Sequence, residues 1–156
     1  MNELRVPKRR TPVEIQLHHG AIHHYAVFLG DFAHDHSGPE RLSDLLNGSG
    51  DFVPAYDLDS DAMTFLNREG VLLARLPGHV ELEEGEQQTL PTEHDVEIVL
   101  DDGAKLRGLV SYVLPPDHSR LIDFLNDAPL FFRLLEETSV ALVNKRHVTC
   151  VALVEQ

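Results

Sequence analysis

The chain has 156 residues, a formal net charge of −13 and an isoelectric point near 5.0. This negative charge disfavours nonspecific binding to nucleic acid or to an anionic membrane surface, because both are themselves negative. No apolar run approaches the roughly 18 residues that a membrane-spanning helix needs. We therefore expect a protein that binds neither nucleic acid nor membrane.

The one cysteine, Cys150, excludes an intramolecular disulfide framework and fits a reducing compartment. Residues 1–11 lack the apolar segment of a secretory signal, so we expect a cytoplasmic protein. Cys150 lies within the apolar run Val148 to Val154. Because free cysteine is among the most buried residue types, the run predicts a core position for it.

The first half of the chain predicts five short strands and one helix. In the run from Val13 to Leu17, apolar and polar residues alternate, which is typical of a half-buried strand. The predicted element order is β-β-α-β-β-β. The predicted strands span 13–17, 22–29, 52–56, 62–66 and 71–76, and the predicted helix spans about 40–46.

Residues 77–94 differ in composition from the segments on either side. They contain Pro77-Gly78, four glutamates between positions 81 and 86, and Gln87-Gln88. Such a stretch buries too little apolar surface to offset the entropy lost on ordering, which predicts a solvated acidic linker. Val80 and Leu82 are candidates for a brief edge strand. The four glutamates are Glu81, Glu83, Glu84 and Glu86.

The second half begins with a clear turn signal. Asp101-Asp102-Gly103 separates two β-rich runs, and Asp-Gly in that setting predicts a hairpin. Pro115-Pro116 ends the second arm, because proline cannot donate to a strand ladder. The next helix is predicted to be capped by Asp117 or Ser119 and ended by a left-handed Asn126. The predicted strands span 96–100, 105–114, 131–135, 140–143 and 148–154, and the helix spans about 121–125.

The two halves repeat one pattern in the same order. Matching segments are Val13-Glu14-Ile15 with Val96-Glu97-Ile98, Asp35-His36-Ser37 with Asp117-His118-Ser119, Arg41-Leu42 with Arg120-Leu121, and Phe65-Leu66-Asn67 with Leu142-Val143-Asn144. This predicts an internal duplication, with a first repeat at 12–76, the acidic linker at 77–94 and a second repeat at 95–156. Units this small bury little surface alone, so we expect them to pack on each other or to dimerise.

Three features occur together in the second half: Gly103 with Gly108, R-L-I-D-F-L-N at 120–126, and V-N-K-R-H-V at 143–148. In this combination they resemble a small uncharacterised bacterial domain. The first half departs from it, with Tyr25 in place of Gly108 and Gly70 in place of His147. The resemblance implies a repeated fold unit and no particular activity. The expected fold is mainly β with short helices, as tandem small SH3-like or Sm-like β-barrels.

Histidines crowd one short stretch beside Asp31 and Asp35. Imidazole and carboxylate are good ligands for divalent metals. The candidate metal ligands are His19, His23, His34 and His36. However, His18-His19 stand where the second half has Asp101-Asp102, so the shared turn needs no imidazole. We therefore predict polar turn residues, without a bound metal or a cofactor.

Other repeated polar residues have structural explanations. Asp-His-Ser occurs twice, but neighbours along a chain cannot form a catalytic relay, which needs side chains that converge in space. Both copies precede a helix, where Asp or Ser is a common cap. Asp44 and Asp123 recur inside the predicted helices and are expected to accept hydrogen bonds from the local backbone or from the turn at Arg68 or Lys145. The pattern predicts no enzymatic activity.

A basic arm, Arg5 to Arg10, carries four positive charges on this acidic chain. Arg5 and Arg9 have R-x-x-x-R spacing, and Asp35-x-Ser37 follows, which resembles the PilZ domain signature. The resemblance implies binding of cyclic-di-GMP through Arg5, Arg9, Asp35 and Ser37, because guanidinium grips phosphate and stacks on guanine. The glycine that should follow in that signature is Glu40 here.

Together these patterns predict a non-enzymatic interaction or regulatory module, bacterial as the resemblance implies, that binds an unidentified protein partner. Short, pairable strands favour such a role. The alternative is a PilZ-like cyclic-di-GMP sensor that uses the basic arm, and an Sm-like RNA binder is disfavoured by the net charge. A homodimer also stays open.

Overall fold

The computed structural model of the chain describes residues 8–18, 20–31, 33, 38–82, 91–113 and 120–154. The prediction of a mainly β fold with short helices is confirmed within these ranges. The strands are β1 (Lys8–Leu17), β2 (Ile22–Gly30), β3 (Phe52–Asp57), β4 (Ala62–Asn67), β5 (Val71–Pro77), β6 (Thr92–Leu100), β7 (Lys105–Tyr112), β8 (Phe131–Leu135), β9 (Ser139–Asn144) and β10 (Val148–Leu153). The helices are α1 (Leu42–Leu46), α2 (Gly78–Glu81) and α3 (Leu121–Asp127).

All ten strands belong to one antiparallel sheet, in the order β10-β6-β7-β8-β9-β5-β1-β2-β3-β4. The two halves meet where β9 pairs with β5, and β10 and β4 are the free edges of the described sheet. The sheet is continuous across the halves and is not closed. The SH3-like or Sm-like closure of each half stays a prediction.

Strand pairing corresponds between the two halves in order and in register. The first half runs β5-β1-β2-β3-β4 across the sheet and the second runs β10-β6-β7-β8-β9. Matching pairs are Val13 opposite Tyr25 with Val96 opposite Gly108, and Val53 opposite Leu66 with Phe132 opposite Val143. An irregularity recurs too, because Leu72 of β5 and Thr149 of β10 have no partner on the adjoining strand. Residues that occupy the same place in these pairings, or in the matching sequence segments between the strands such as Leu46-Asn47 and Leu125-Asn126, are called equivalent below.

Two apolar clusters form the core, and each contains side chains from the other half. The first cluster is built on β1 to β5 and α1, and it also contains Phe131, Val140 and Leu142. The second is built on β6 to β10, and it also contains Leu72 and Leu73 of β5. The halves therefore share strands at their contact instead of packing as two separate domains.

Gly108 marks a real difference between the halves. A Cβ at this position would lie 2.6 Å from the carbonyl oxygen of Leu135 and 2.8 Å from Cγ of Leu134. The equivalent Tyr25 fits in the first half, where it is buried within the first cluster. Glycine is thus required only where β8 approaches β7 this closely.

The helix ends differ in part from their prediction. Asn47 follows α1, but its φ of −93° lies outside the left-handed region. Its side chain bonds to the backbone of Phe131 instead, and this contact holds it in place. The third helix continues through Asn126 and ends at Asp127, so Asn126 does not terminate it. No helix among the described residues combines the length and apolar character needed to cross a membrane.

The predicted acidic linker is wrong at its start. Gly78–Glu81 forms α2, so Val80 lies in a helix instead of a strand. Glu81 is fully buried. Burial is tolerated because Ser43 and Arg133 bond to its carboxylate. Residues 83–90, with the other three glutamates, lie outside the described residues.

Candidate functional site

The contact between the halves, called the internal junction below, is the strand pair β5 with β9. Its register runs from Leu73 opposite Val143 to Pro77 opposite Ser139. Apolar side chains of the second half cross it into the first cluster. These side chains are Phe131, Val140 and Leu142, each at most 1 % exposed. Backbone pairing and apolar burial therefore act together at this contact.

Two asparagines complete the internal junction with backbone hydrogen bonds. The amide of Asn47 donates to the carbonyl oxygen of Phe131 at 3.0 Å and accepts from its backbone N–H at 2.8 Å. The fully buried amide of Asn144 donates to the carbonyl oxygens of Arg68 and Val71, at 3.3 and 3.0 Å. Each asparagine thus holds the backbone of the opposite half.

Arg75 adds an ionic contact across the internal junction. Its Nε and Nη2 donate to the carboxylate of Glu136 in the second half, at 2.7 and 3.1 Å. Its Nη1 donates to Glu14 on the neighbouring strand, at 3.0 Å. The hydrogen bond to Glu136 raises the pKa of Arg75 above its ordinary value, although burial acts in the opposite direction. A forked, charge-assisted contact of this kind fixes orientation as well as attraction.

Glu81 supplies a second ionic contact, and this one is buried. Nε of Arg133 on β8 donates to the Glu81 carboxylate at 2.7 Å. The hydroxyl of Ser43 on α1 donates to the same oxygen at 2.6 Å, and the Ser43 backbone N–H donates to the other at 3.2 Å. Glu81 therefore joins α2, α1 and the second half at one point.

One free end of the sheet, at β4, presents an exposed apolar patch. The patch consists of Phe52, Met63 and Phe65, which are 58 %, 47 % and 65 % exposed. Their equivalents in the second half are Phe131, Val140 and Leu142, the side chains that are buried at the internal junction. The patch is thus the uncovered counterpart of one side of that junction.

The other free end, at β10, presents a groove of about 450 Å³. It is lined by Leu125, Asn126, Phe132, Lys145, Arg146, Val148 and Val151. The equivalents of its four apolar residues are Leu46, Val53, Val71 and Ala74, all of them in the first cluster. In the first half, side chains from β8 and β9 cover this position. The groove thus corresponds to the surface of the first cluster that β8 and β9 cover at the internal junction, and no described strand covers it.

Exposure along β10 contradicts the core position predicted for Cys150, because this cysteine is exposed. Its equivalent is Leu73, which is 1 % exposed. Leu153, 58 % exposed, is likewise equivalent to Leu76, which is 2 % exposed. The physical reason is that β9 covers β5, whereas no described strand covers β10 on its outer edge.

The described histidines do not gather into a metal site. The ring of His18 lies beside that of His147, with ring centroids 4.8 Å apart and ring planes tilted by 37°. His147 contacts Asp101 through Nδ1 at 3.3 Å and the carbonyl oxygen of Glu69 through Nε2. Among the described residues, no group of three metal-ligating side chains could hold an ion.

The remaining candidate metal ligands are placed only in part. His23 lies on β2 with its ring centroid 5.9 Å from that of Tyr25. His19, His34 and His36 lie outside the described residues. The predicted hairpin that brings the first histidines together is present, since Gly20 forms its turn with a φ of +87°, as Gly103 does at +88° in the second half.

The candidate nucleotide site is likewise placed only in part. Arg9 lies exposed on β1, where its Nε is 3.4 Å from the Asp31 carboxylate. Its Nη2 also contacts the carbonyl oxygens of Gly30 and Glu40 at 3.5 Å. Arg5, Asp35 and Ser37 lie outside the described residues. Binding of cyclic-di-GMP therefore stays a prediction.

Asp44 bonds to the local backbone as expected, whereas Asp123 bonds to the neighbouring side chain of Arg120. Asp44 accepts the backbone N–H of Arg41, the residue before α1, at 2.8 Å. Asp123 accepts from the side chain of Arg120, the residue before α3, at 3.1 Å. The predicted caps Asp117 and Ser119 lie outside the described residues. The R-L-x-D motif therefore stabilises helix starts.

Neither the patch nor the groove was identified from the sequence, although a signal is present. Met63 and Phe65 lie on one face of β4, and Ala62 and Leu66 lie on the other, so β4 carries apolar residues on both faces. A strand with one solvated face normally carries polar residues on that face. Apolar residues on both faces therefore indicate that both faces are buried. The strand order needed to recognise β4 as an edge is a long-range property.

No protein-family model matches this chain, and no curated protein or solved structure matches it. The features of the chain that bear most on its function are therefore the two free ends of the sheet, at β4 and β10.

Proposed function

We propose that the chain is a non-enzymatic protein-interaction module, built by internal duplication from two divergent SH3-like or Sm-like units. The support for duplication is that both halves share their strand order, their pairing register and one unpaired residue, which lies on β5 in the first half and on β10 in the second. The support for a non-enzymatic role is that repeated polar residues carry structural bonds. Asn144 and Asp44 are two examples.

The observation that carries the interaction proposal is the groove beside the unpaired edge of β10. An extended segment that adds to such an edge gains backbone hydrogen bonds. Every second side chain of that segment would then point to one face of the sheet. On that face, Val148 and Val151 offer an apolar surface, as their equivalents do at the internal junction. A β-strand with alternate apolar residues is thus the partner chemistry that this edge fits.

Site-specific photo-crosslinking in native cells tests this proposal. A benzoylphenylalanine residue at position 153 on β10, or at position 65 on β4, should cross-link to protein, because both positions lie at free edges. The same residue at Ile22, which is equally exposed on the inner strand β2, is the matched control. The absence of any protein adduct at both edge positions above the Ile22 background would contradict the proposal.

A further inference from the structure

We propose that the chain associates head to tail with further copies of itself. In this arrangement β4 of one molecule pairs with β10 of the next, and the apolar patch fills the groove. The inference rests on the proposed function, since both use the free edges, and it specifies a second copy of this chain as the partner.

The internal junction shows what this contact looks like, because the chain already contains both of its sides. At that junction Phe131, Val140 and Leu142 cover one end of the first cluster. Their equivalents Phe52, Met63 and Phe65 have nothing to cover within the described chain. The groove, in turn, corresponds to the surface that Phe131, Val140 and Leu142 cover, and among the described strands none lies beyond β10 to cover it. The apolar patch of one molecule can thus cover the groove of the next.

The internal register also sets the register between molecules. Leu73 faces Val143, Arg75 faces Ala141 and Leu76 faces Val140. Transferred to the equivalent strands, these pairs place Cys150 opposite Leu66, Ala152 opposite Thr64 and Leu153 opposite Met63 of the next molecule. Both exposed apolar residues of the last pair would be covered by the same contact.

The asparagines of the internal junction have equivalents at the free ends as well. Asn126 is equivalent to Asn47 and lies in the groove, where it can bond to the backbone of Phe52 from the next molecule. Asn67 is equivalent to Asn144 and is exposed at the end of β4. Its amide can reach the carbonyl oxygens of Lys145 and Val148, which are equivalent to those of Arg68 and Val71. Polar and apolar parts of the contact are therefore both available.

Two substitutions make this contact weaker than the internal one. Ala152 stands at the place of Arg75, and Pro54 stands at the place of Arg133, so both ionic contacts are absent. Each chain also carries a net charge of −13, which opposes association until salt screens it. Association should therefore be reversible and should strengthen with ionic strength.

Head-to-tail contacts leave one free β4 and one free β10 at the ends of every open assembly. Such heterologous contacts propagate until a ring closes or a filament grows. Within a closed ring, neither edge remains unpaired, which removes the aggregation hazard of an exposed edge strand.

An engineered disulfide tests the arrangement and its register together. The variant T64C/A152C/C150S places cysteines at positions that face each other only between molecules. Mild oxidation of the purified protein should give a ladder of covalent multimers that reductant reverses. The variant T64C/V151C/C150S is the matched control, because its second cysteine is one residue out of register and on the opposite face, and it should give no ladder.

Light scattering supplies a readout that needs no added cysteine. At about 0.3 M salt, where screening is effective, the mass of the native chain should rise with concentration to at least about twice its 17.5 kDa. The variant M63E/F65E should stay at 17.5 kDa with an unchanged far-ultraviolet circular dichroism spectrum. A constant single-chain mass, or equal ladders from both cysteine variants, would overturn the inference. Adducts of a different protein at Leu153 in cells, with that same monomeric mass, would overturn it while leaving the proposed function intact.

Discussion

Replacement of Arg133 by methionine should lower the free energy of unfolding by about 3–5 kcal/mol, the range for a buried ion pair that loses one partner. The fully buried Glu81 carboxylate would then keep only its bonds to Ser43, and its charge would have no counterion. Because the chain contains no tryptophan, denaturant unfolding followed by far-ultraviolet circular dichroism at a fixed protein concentration is the suitable measurement.

Arg107→Met is the control for this loss. Arg107 pairs with Asp95 at 3.5 Å, but its side chain is largely exposed, so the loss should be at most about 1 kcal/mol. The double variant E81L/R133M should recover much of the stability, because no unpaired charge then remains buried. Equal losses for the two arginine variants would show that Glu81 does not depend on Arg133.

Asn144→Ala should be the second most damaging change, lowering the free energy of unfolding by about 3 kcal/mol. It removes the donor that serves two buried carbonyl oxygens across the internal junction, as well as the acceptor for the backbone N–H of Arg146. Buried carbonyls left without a donor cost free energy because water no longer reaches them.

Asn67→Ala is the matched control, because Asn67 is the equivalent of Asn144 in the first half. Asn67 accepts the backbone N–H of Glu69 at 2.9 Å, as Asn144 does for Arg146, but its side chain is exposed. Its removal should cost about 1 kcal/mol, the value of a local cap. The difference between the two variants in free energy of unfolding measures the contribution of the hydrogen bonds across the internal junction. Equal losses of stability would mean that those bonds contribute nothing.

The sequence contains enough local information to predict the strands. Alternation from Val13 to Leu17, and the Asp-Gly turn ending at Gly103, depend on residues close together in the chain. Comparison of one half with the other strengthened both predictions, because the same pattern occurs twice. The ten predicted strands are therefore present, although β1 begins at Lys8 instead of Val13 and β6 at Thr92 instead of Val96.

Long-range pairing explains what could not be predicted. Glu81 is surrounded in sequence by glutamates, and its burial depends on Arg133, 52 residues away. Cys150 lies in an apolar run typical of a core strand, and its exposure follows from the position of β10 at the end of the sheet. Neither property is encoded by neighbouring residues alone.

The same distinction between local and long-range features applies to the candidate sites. The basic arm and the histidines are conspicuous in the sequence because their composition is unusual. The patch of Phe52, Met63 and Phe65 has an ordinary composition, and it becomes informative only once its equivalents are seen to be buried. Position in the sheet, not residue type, identifies it.

Alkylation of Cys150 tests head-to-tail association most directly, because the chain has one cysteine and it lies on the β10 edge. Pairing with β4 of another molecule would give Cys150 the surroundings of Leu73, which is almost completely buried. We predict that the alkylation rate of the native chain falls as protein concentration rises, whereas the rate for M63E/F65E stays constant. A native rate that is independent of concentration throughout the accessible range would contradict association through this edge.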